Sequence, residues 1–207
     1  MTSSQTTPPQ APDRIYRSPA GIAGGVALIL MGAWLGGDAV VNGDGRTPWT
    51  VLAALLLVVP LVVAFTIRPA VFGNEERLRV RNPFRDITLP WGAVAGFRSG
   101  YSNEVLVETG AKYQLWSIPV SLRGRRKAQR QQLRAAKGGR TPTGASGLPV
   151  TEPRAPGDQA MDELRELHDT RAAAESSRGE VTTRWAYEII APAAVGAVLL
   201  VFLIALG

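Results

Sequence analysis

Residues 75–91 read Glu75-Glu76-Arg77-Leu78-Arg79-Val80-Arg81-Asn82-Pro83-Phe84-Arg85-Asp86-Ile87-Thr88-Leu89-Pro90-Trp91. From Glu76 to Asn82 polar and apolar side chains alternate with a period of two. An extended chain sends successive side chains to opposite faces, so this pattern predicts a strand with one wet and one buried face. Asn82-Pro83-Phe84-Arg85 is rich in turn formers, and Asp86-Ile87-Thr88-Leu89 alternates again, which predicts an antiparallel returning strand. Pro90-Trp91-Gly92 breaks the run.

Outward from this hairpin the chain stays short-period. Residues 94–98 form a further strand before a loop at 99–103, and residues 104–108 and 113–118 flank the turn Thr109-Gly110-Ala111. Five or six short antiparallel strands are expected. At Ser121, a suitable N-cap, the spacing turns helical, with Leu122, Gln129, Leu133 and Ala136 on one side and a stop at Gly138-Gly139. Residues 138–157 are rich in Gly, Pro, Thr and Ser and read as a flexible linker. Residues 158–175 read as a short polar helix carrying Met161, Leu164 and Leu167 along one side.

Three apolar blocks enclose this region. Residues 19–41 hold one charge, Asp38; residues 50–67 hold none; residues 186–206 hold Glu188 at their start. About 20 apolar residues cross about 30 Å of hydrocarbon, so each block reads as a transmembrane helix. Residues 42–49, with Gly43, Gly45 and Pro48, are too few for anything but a turn, so the first two blocks form a helical hairpin. Pro60 is tolerable inside such a helix, because neighbours re-satisfy the freed carbonyl. A cleaved leader has an apolar region of only about 7–15 residues behind a short positive stretch. Here residues 1–18 contain Pro8, Pro9 and Pro12 and read as a disordered N-terminus. Asp38 lies four residues before Asn42 at the block's end, where headgroups are within reach, rather than on a proton path. The spacings Gly21-x-x-x-Gly25 and Gly32-x-x-x-Gly36 favour close helix packing.

The charge distribution orients the chain. Of 23 Lys and Arg residues, only Arg14, Arg17 and Arg46 lie outside residues 68–184. Basic residues near helix ends stay cytoplasmic. The N-terminus and central region are therefore expected inside, with the C-terminus outside.

Chemistry is sparse. No cysteine is present, which excludes disulfides, thiolate metal sites and a cysteine nucleophile. The single histidine, His168, excludes multi-histidine metal centres and reads as solvated on its polar helix. Nucleophile-elbow, phosphate-loop and His-Glu-x-x-His patterns are absent, and Glu75 and Glu76 point to opposite faces of a strand. No catalytic residue, cofactor or metal is expected, and the chain reads as a non-enzyme. The functional signal is basic: net charge +6 with Arg123, Arg125, Arg126, Lys127, Arg130 and Arg134 in one helix without an acidic neighbour. Such a cluster suits anionic phospholipid headgroups at a membrane surface or simply faces water. Arg77, Arg79 and Arg81 on one face of their strand are candidates for the same contact or for an acidic protein partner. Nucleic acid ranks lower, because the cluster has no aromatic residue for base stacking.

Two apolar blocks followed by Leu78-Arg79-Val80-Arg81, then Ile87-Thr88-Leu89-Pro90-Trp91, then Val105-Leu106-Val107-Glu108, resemble bacterial pleckstrin-homology-like (PH-like) membrane proteins of the low-molecular-weight protein antigen 6 type. The resemblance covers residues 67–137 and implies a small antiparallel β barrel or sheet closed by a helix. It also implies a bacterial plasma-membrane location. Unlike the eukaryotic PH domain, residues 121–137 contain no tryptophan in the expected closing helix. The expected chain is thus an α+β membrane protein: transmembrane helices at 19–41, 50–67 and 186–206, and a PH-like module with its basic helix at 68–137. Its expected role is protein or anionic-lipid interaction. The alternative is a small transport accessory or channel-like assembly, and a homo-oligomer fits either.

Overall fold

A computed structural model describes residues 13–120 and 156–206. In chain order the elements are β1 (Arg14–Tyr16), α1 (Pro19–Asn42), and α2 (Thr47–Val62), which runs into a π-helical turn (Val63–Ile67). Next come β2 (Ala70–Gly73), β3 (Arg77–Arg81), β4 (Arg85–Pro90), β5 (Val94–Ser99), β6 (Asn103–Val107) and β7 (Lys112–Gln114). Last are α3 (Pro156–Arg171), β8 (Thr182–Trp185) and α4 (Tyr187–Ala205). The fold is α+β, with two antiparallel sheets, β1-β2-β3-β4-β8 and β5-β6-β7. Three helices, Pro19–Asn42, Thr47–Ile67 and Tyr187–Ala205, are long and apolar enough to cross a membrane.

The alternation at residues 76–82 has the expected consequence: Leu78 and Val80 are buried while Arg77 and Arg79 are exposed. Leu78 faces Leu89 and Val80 faces Ile87 across the β3–β4 ladder. These four, with Val71, Trp91, Val94, Val105, Val107, Leu115 and Ile118, form one core shared by both sheets. Trp91 is fully buried, and its indole N–H donates to the Asn74 carbonyl at 2.8 Å, which satisfies its one polar atom.

The apolar helices pack through small residues. Ser18 caps α1 by accepting the Gly21 N–H at 3.2 Å, and Pro19 begins the helix where no amide partner is needed. A Cβ on Gly25 would collide with Thr66, and one on Gly36 would lie 2.6 Å from Leu55; Gly24 and Gly37 face open space. The stripe of glycines spaced by four therefore sits against α2 and its continuation. Helix α4 runs along α2 at still closer range, because a Cβ on Gly196 would meet the backbone of Leu56 and Leu57. Asp38 accepts a hydrogen bond from the Asn42 amide at 2.8 Å, at the end of α1.

Three strands were not expected from the sequence. Arg14–Tyr16, read as part of a disordered N-terminus, pairs with β2, and Thr182–Trp185 pairs with β4. With β2 they bring the described strands to eight, against the five or six expected. Among the described residues, the helix packed into the core is α3, which starts at Pro156 rather than at 158. Its Ala160, Met161 and Leu164 are buried, so it is not simply a polar helix. The basic helix expected at 121–137 and the linker up to 155 lie outside the described residues. His168 also departs from its solvated reading. Its side chain is largely buried, with Nε2 2.8 Å from the Val94 carbonyl and the ring beside Trp91 and Phe97. A carbonyl only accepts, so Nε2 carries the proton in this contact.

Candidate functional site

The register of the larger sheet decides which side chains share its outer face. Arg81 lies opposite Asp86 and Asp86 opposite Arg184; Arg79 lies opposite Thr88 and Thr88 opposite Thr182. Directly opposed residues in antiparallel strands project to the same side. From β2, Phe72 is opposite Arg79 and joins that row. Together Phe72, Arg79, Arg81, Asp86, Thr88, Thr182 and Arg184 line a shallow polar cavity of about 210 Å³.

The local chemistry is cationic. The guanidinium carbons of Arg79 and Arg81 lie 4.8 and 5.4 Å from the Phe72 ring centre, so one aromatic face holds both side chains in place. Arg79 is 3.3 Å from Asp13, and Arg81 is 3.6 Å from Asp86. Arg184 acts electrostatically on Glu188, in the first turn of α4. The carboxylate of Asp86 is already engaged, because Arg68 Nη2 donates to both its oxygens at 3.0 Å. Three arginines therefore line the cavity beside one carboxylate, Asp86, which a fourth arginine largely occupies, while a second carboxylate, Asp13, pairs with Arg79 from outside the lining. Thr88 and Thr182 add hydroxyl donors. Such a surface is suited to an anion with several oxygen atoms.

Arg68 also ties this face to the apolar helices. It follows the π-helical turn directly, and its side chain is 11% exposed. Besides Asp86, it donates to the Asn82 carbonyl at 3.3 Å and to Glu188, in the first turn of α4, at 2.9 Å. Phe65 packs edge-on against Phe84 at 5.4 Å and at a tilt against Trp116 at 5.5 Å. The Ala186 N–H donates to the Phe84 carbonyl at 2.9 Å. The β3–β4 turn is thus seated on the ends of α2 and α4 by one buried cation and an aromatic cluster. At the other edge of the sheet, Tyr16 donates to Glu163 at 2.7 Å. Burial first, and this carboxylate second, push the phenol pKa upward, so Tyr16 remains a donor to α3.

Of the residues singled out from sequence, Arg77, Arg79 and Arg81 do share the outer face. Arg77 is paired with Glu76 at 2.7 Å and does not line the cavity. Arg123, Arg125, Arg126, Lys127, Arg130 and Arg134 lie outside the described residues. Arg184, Thr182, Thr88 and Arg68 were missed. Thr182-Thr183-Arg184-Trp185 does carry a strand signal, β-branched and aromatic residues together, but it abuts the third apolar block and is only four residues long.

Residues 68–143 match the family model described as a bacterial PH domain. No curated protein and no solved structure matches the chain. The match leaves out β1, α3 and β8, which the structure builds into the same sheet and core.

Proposed function

We propose that the chain is a multi-pass protein of the bacterial plasma membrane that presents a non-catalytic, PH-like interaction module at the cytoplasmic surface, and that the arginine face binds anionic phospholipid headgroups. The observation that carries this reading is the convergence of Arg79, Arg81 and Arg184 with two threonine hydroxyls close to the start of α4. Arg184 precedes Tyr187 by three residues, a reach of about 10 Å even in extended chain. If α4 spans the bilayer, the face then lies at headgroup depth. The match to a bacterial PH domain supports an interaction role. The basic stretch Arg123, Arg125, Arg126, Lys127, Arg130 and Arg134 would add sequence-independent attraction to the same surface. A transport accessory acting through the helices has less support, since their glycine stripe serves helix contact and Asp38 is bonded to Asn42 at a helix end.

The test uses the full chain in nanodiscs of mixed phosphatidylglycerol and phosphatidylcholine, with retained lipids counted by native mass spectrometry. Preferential retention of phosphatidylglycerol is expected. In R79Q/R81Q/R184Q it should fall by roughly tenfold or more, because each surface cation contributes on the order of 1 kcal/mol. It should also weaken as salt rises. Equal retention by the variant and the parent chain would refute the assignment of the arginine face.

A further inference from the structure

A second cavity, of about 560 Å³, lies between β1, the segment after β7 and the first turn of α3. Ile15, Pro19, Ala20, Ile118, Pro119 and Ala160 give it a mainly apolar wall. Pro19 and Ala20 are the first residues of α1, so the cavity reaches the end of an apolar helix. Its frame is well fixed. The Asn103 amide donates to the Ile118 carbonyl at 3.1 Å, and Gly157 lies so close to the Pro119 carbonyl that no side chain would fit between them.

One group in this wall is unexplained by the fold. Ser117 is 2% exposed, lines the cavity, and its buried hydroxyl has no hydrogen-bond partner. A buried donor without a partner carries a desolvation penalty, and native interiors keep few of them. Arg17 supplies a cation in the same lining. An apolar cavity of this size, with one hydroxyl and one guanidinium, matches the usual make-up of a small-molecule site.

We propose that this cavity receives one acyl chain of a glycerophospholipid from the adjoining leaflet, with Ser117 turning its buried hydroxyl out to the ester carbonyl and Arg17 meeting the phosphate. The inference rests on the membrane-seated reading above and is independent of the arginine face, which is built on other strands. Val120 and Pro156 also line the cavity, and the segment that joins them in sequence is the competing occupant.

The experiment places the full chain in nanodiscs containing phosphatidylglycerol with a photoactivatable diazirine on one acyl chain, followed by irradiation and peptide mapping. Adducts are expected on residues 117–120 and 156–160, which belong to none of the apolar helices, as well as on those helices. Ala160→Phe, which fills the cavity, and Ile15→Trp, on an exposed edge strand, should each lower the cavity adducts severalfold while helix adducts persist. Ser117→Ala should lower them as well. Helix adducts without cavity adducts, or cavity adducts unchanged in all three variants, would overturn the acyl-chain site alone. Loss of helix adducts would instead refute the membrane reading. Cavity adducts that arise only after deletion of 121–155 would assign the cavity to that segment and also overturn the proposal.

Discussion

A fragment confined to residues 68–143, the stretch that matches the bacterial PH domain, is expected to show no cooperative unfolding transition. It would lack Ala160, Met161 and Leu164, all buried in the core, together with Leu167 and Val181 packed against it. Full burial of a Met or Leu side chain contributes about 1.5–3 kcal/mol. Two such losses take a large part of a typical stability of about 5–15 kcal/mol. The fragment would also lose β1 and β8, leaving β2 and β4 as open edges of the larger sheet, which invites aggregation. Extending the fragment to residue 185 restores α3 and β8 and is expected to bring back a transition in thermal circular dichroism. Identical melts for the two fragments would mean that α3 and β8 are not part of the folding unit.

The second large effect concerns the helix contacts. Gly196→Leu is expected to displace α4 from α2, because the new side chain meets the Leu56 and Leu57 backbone, which cannot move aside as a side chain could. Overpacking in a tight interior costs about 1–3 kcal/mol and sometimes more. For a chain of this size that corresponds to a fall in Tm of roughly 2–12 °C in detergent. Gly37→Leu is the control: it adds the same side chain to an apolar helix at a position facing open space. Equal shifts for the two variants would contradict the close packing of α4 on α2.

The legible parts of this fold are those whose signal is local. The β3–β4 hairpin was readable because a period-two pattern needs only neighbouring residues, and each apolar helix was readable from length and from holding at most one charge. The glycine spacing of α1 foretold a packing stripe, and the structure adds which glycines lie on it and which do not. By contrast, β1 is three residues long and joins the sheet beside a strand more than fifty residues away. No local period can report such a pairing. The same holds for β8, and with it for Arg184, which reaches the arginine face only because β8 docks on β4. Met161, Leu164 and Leu167 were visible along one side of a helix, but three apolar residues among many charges gave no measure of how deeply they pack. His168 was misread for the same reason: its partner, the Val94 carbonyl, is 74 residues away. Arg77, Arg79 and Arg81 were readable as one face, whereas the link from Arg68 to Asp86 and Glu188 depends on tertiary placement.

The proposed arrangement, a basic module on the cytoplasmic side of a membrane that α1, α2 and α4 cross, is tested most directly by substituted-cysteine labelling. The chain has no cysteine of its own, so single cysteines are unambiguous. Asp44, in the turn between α1 and α2, Tyr101, fully exposed between β5 and β6, and Leu206, just after α4, are each replaced in turn. A membrane-impermeant maleimide applied to spheroplasts is expected to label Asp44→Cys and Leu206→Cys, and to label Tyr101→Cys only after permeabilisation. Labelling of Tyr101→Cys in intact spheroplasts would place the arginine face outside and contradict the account.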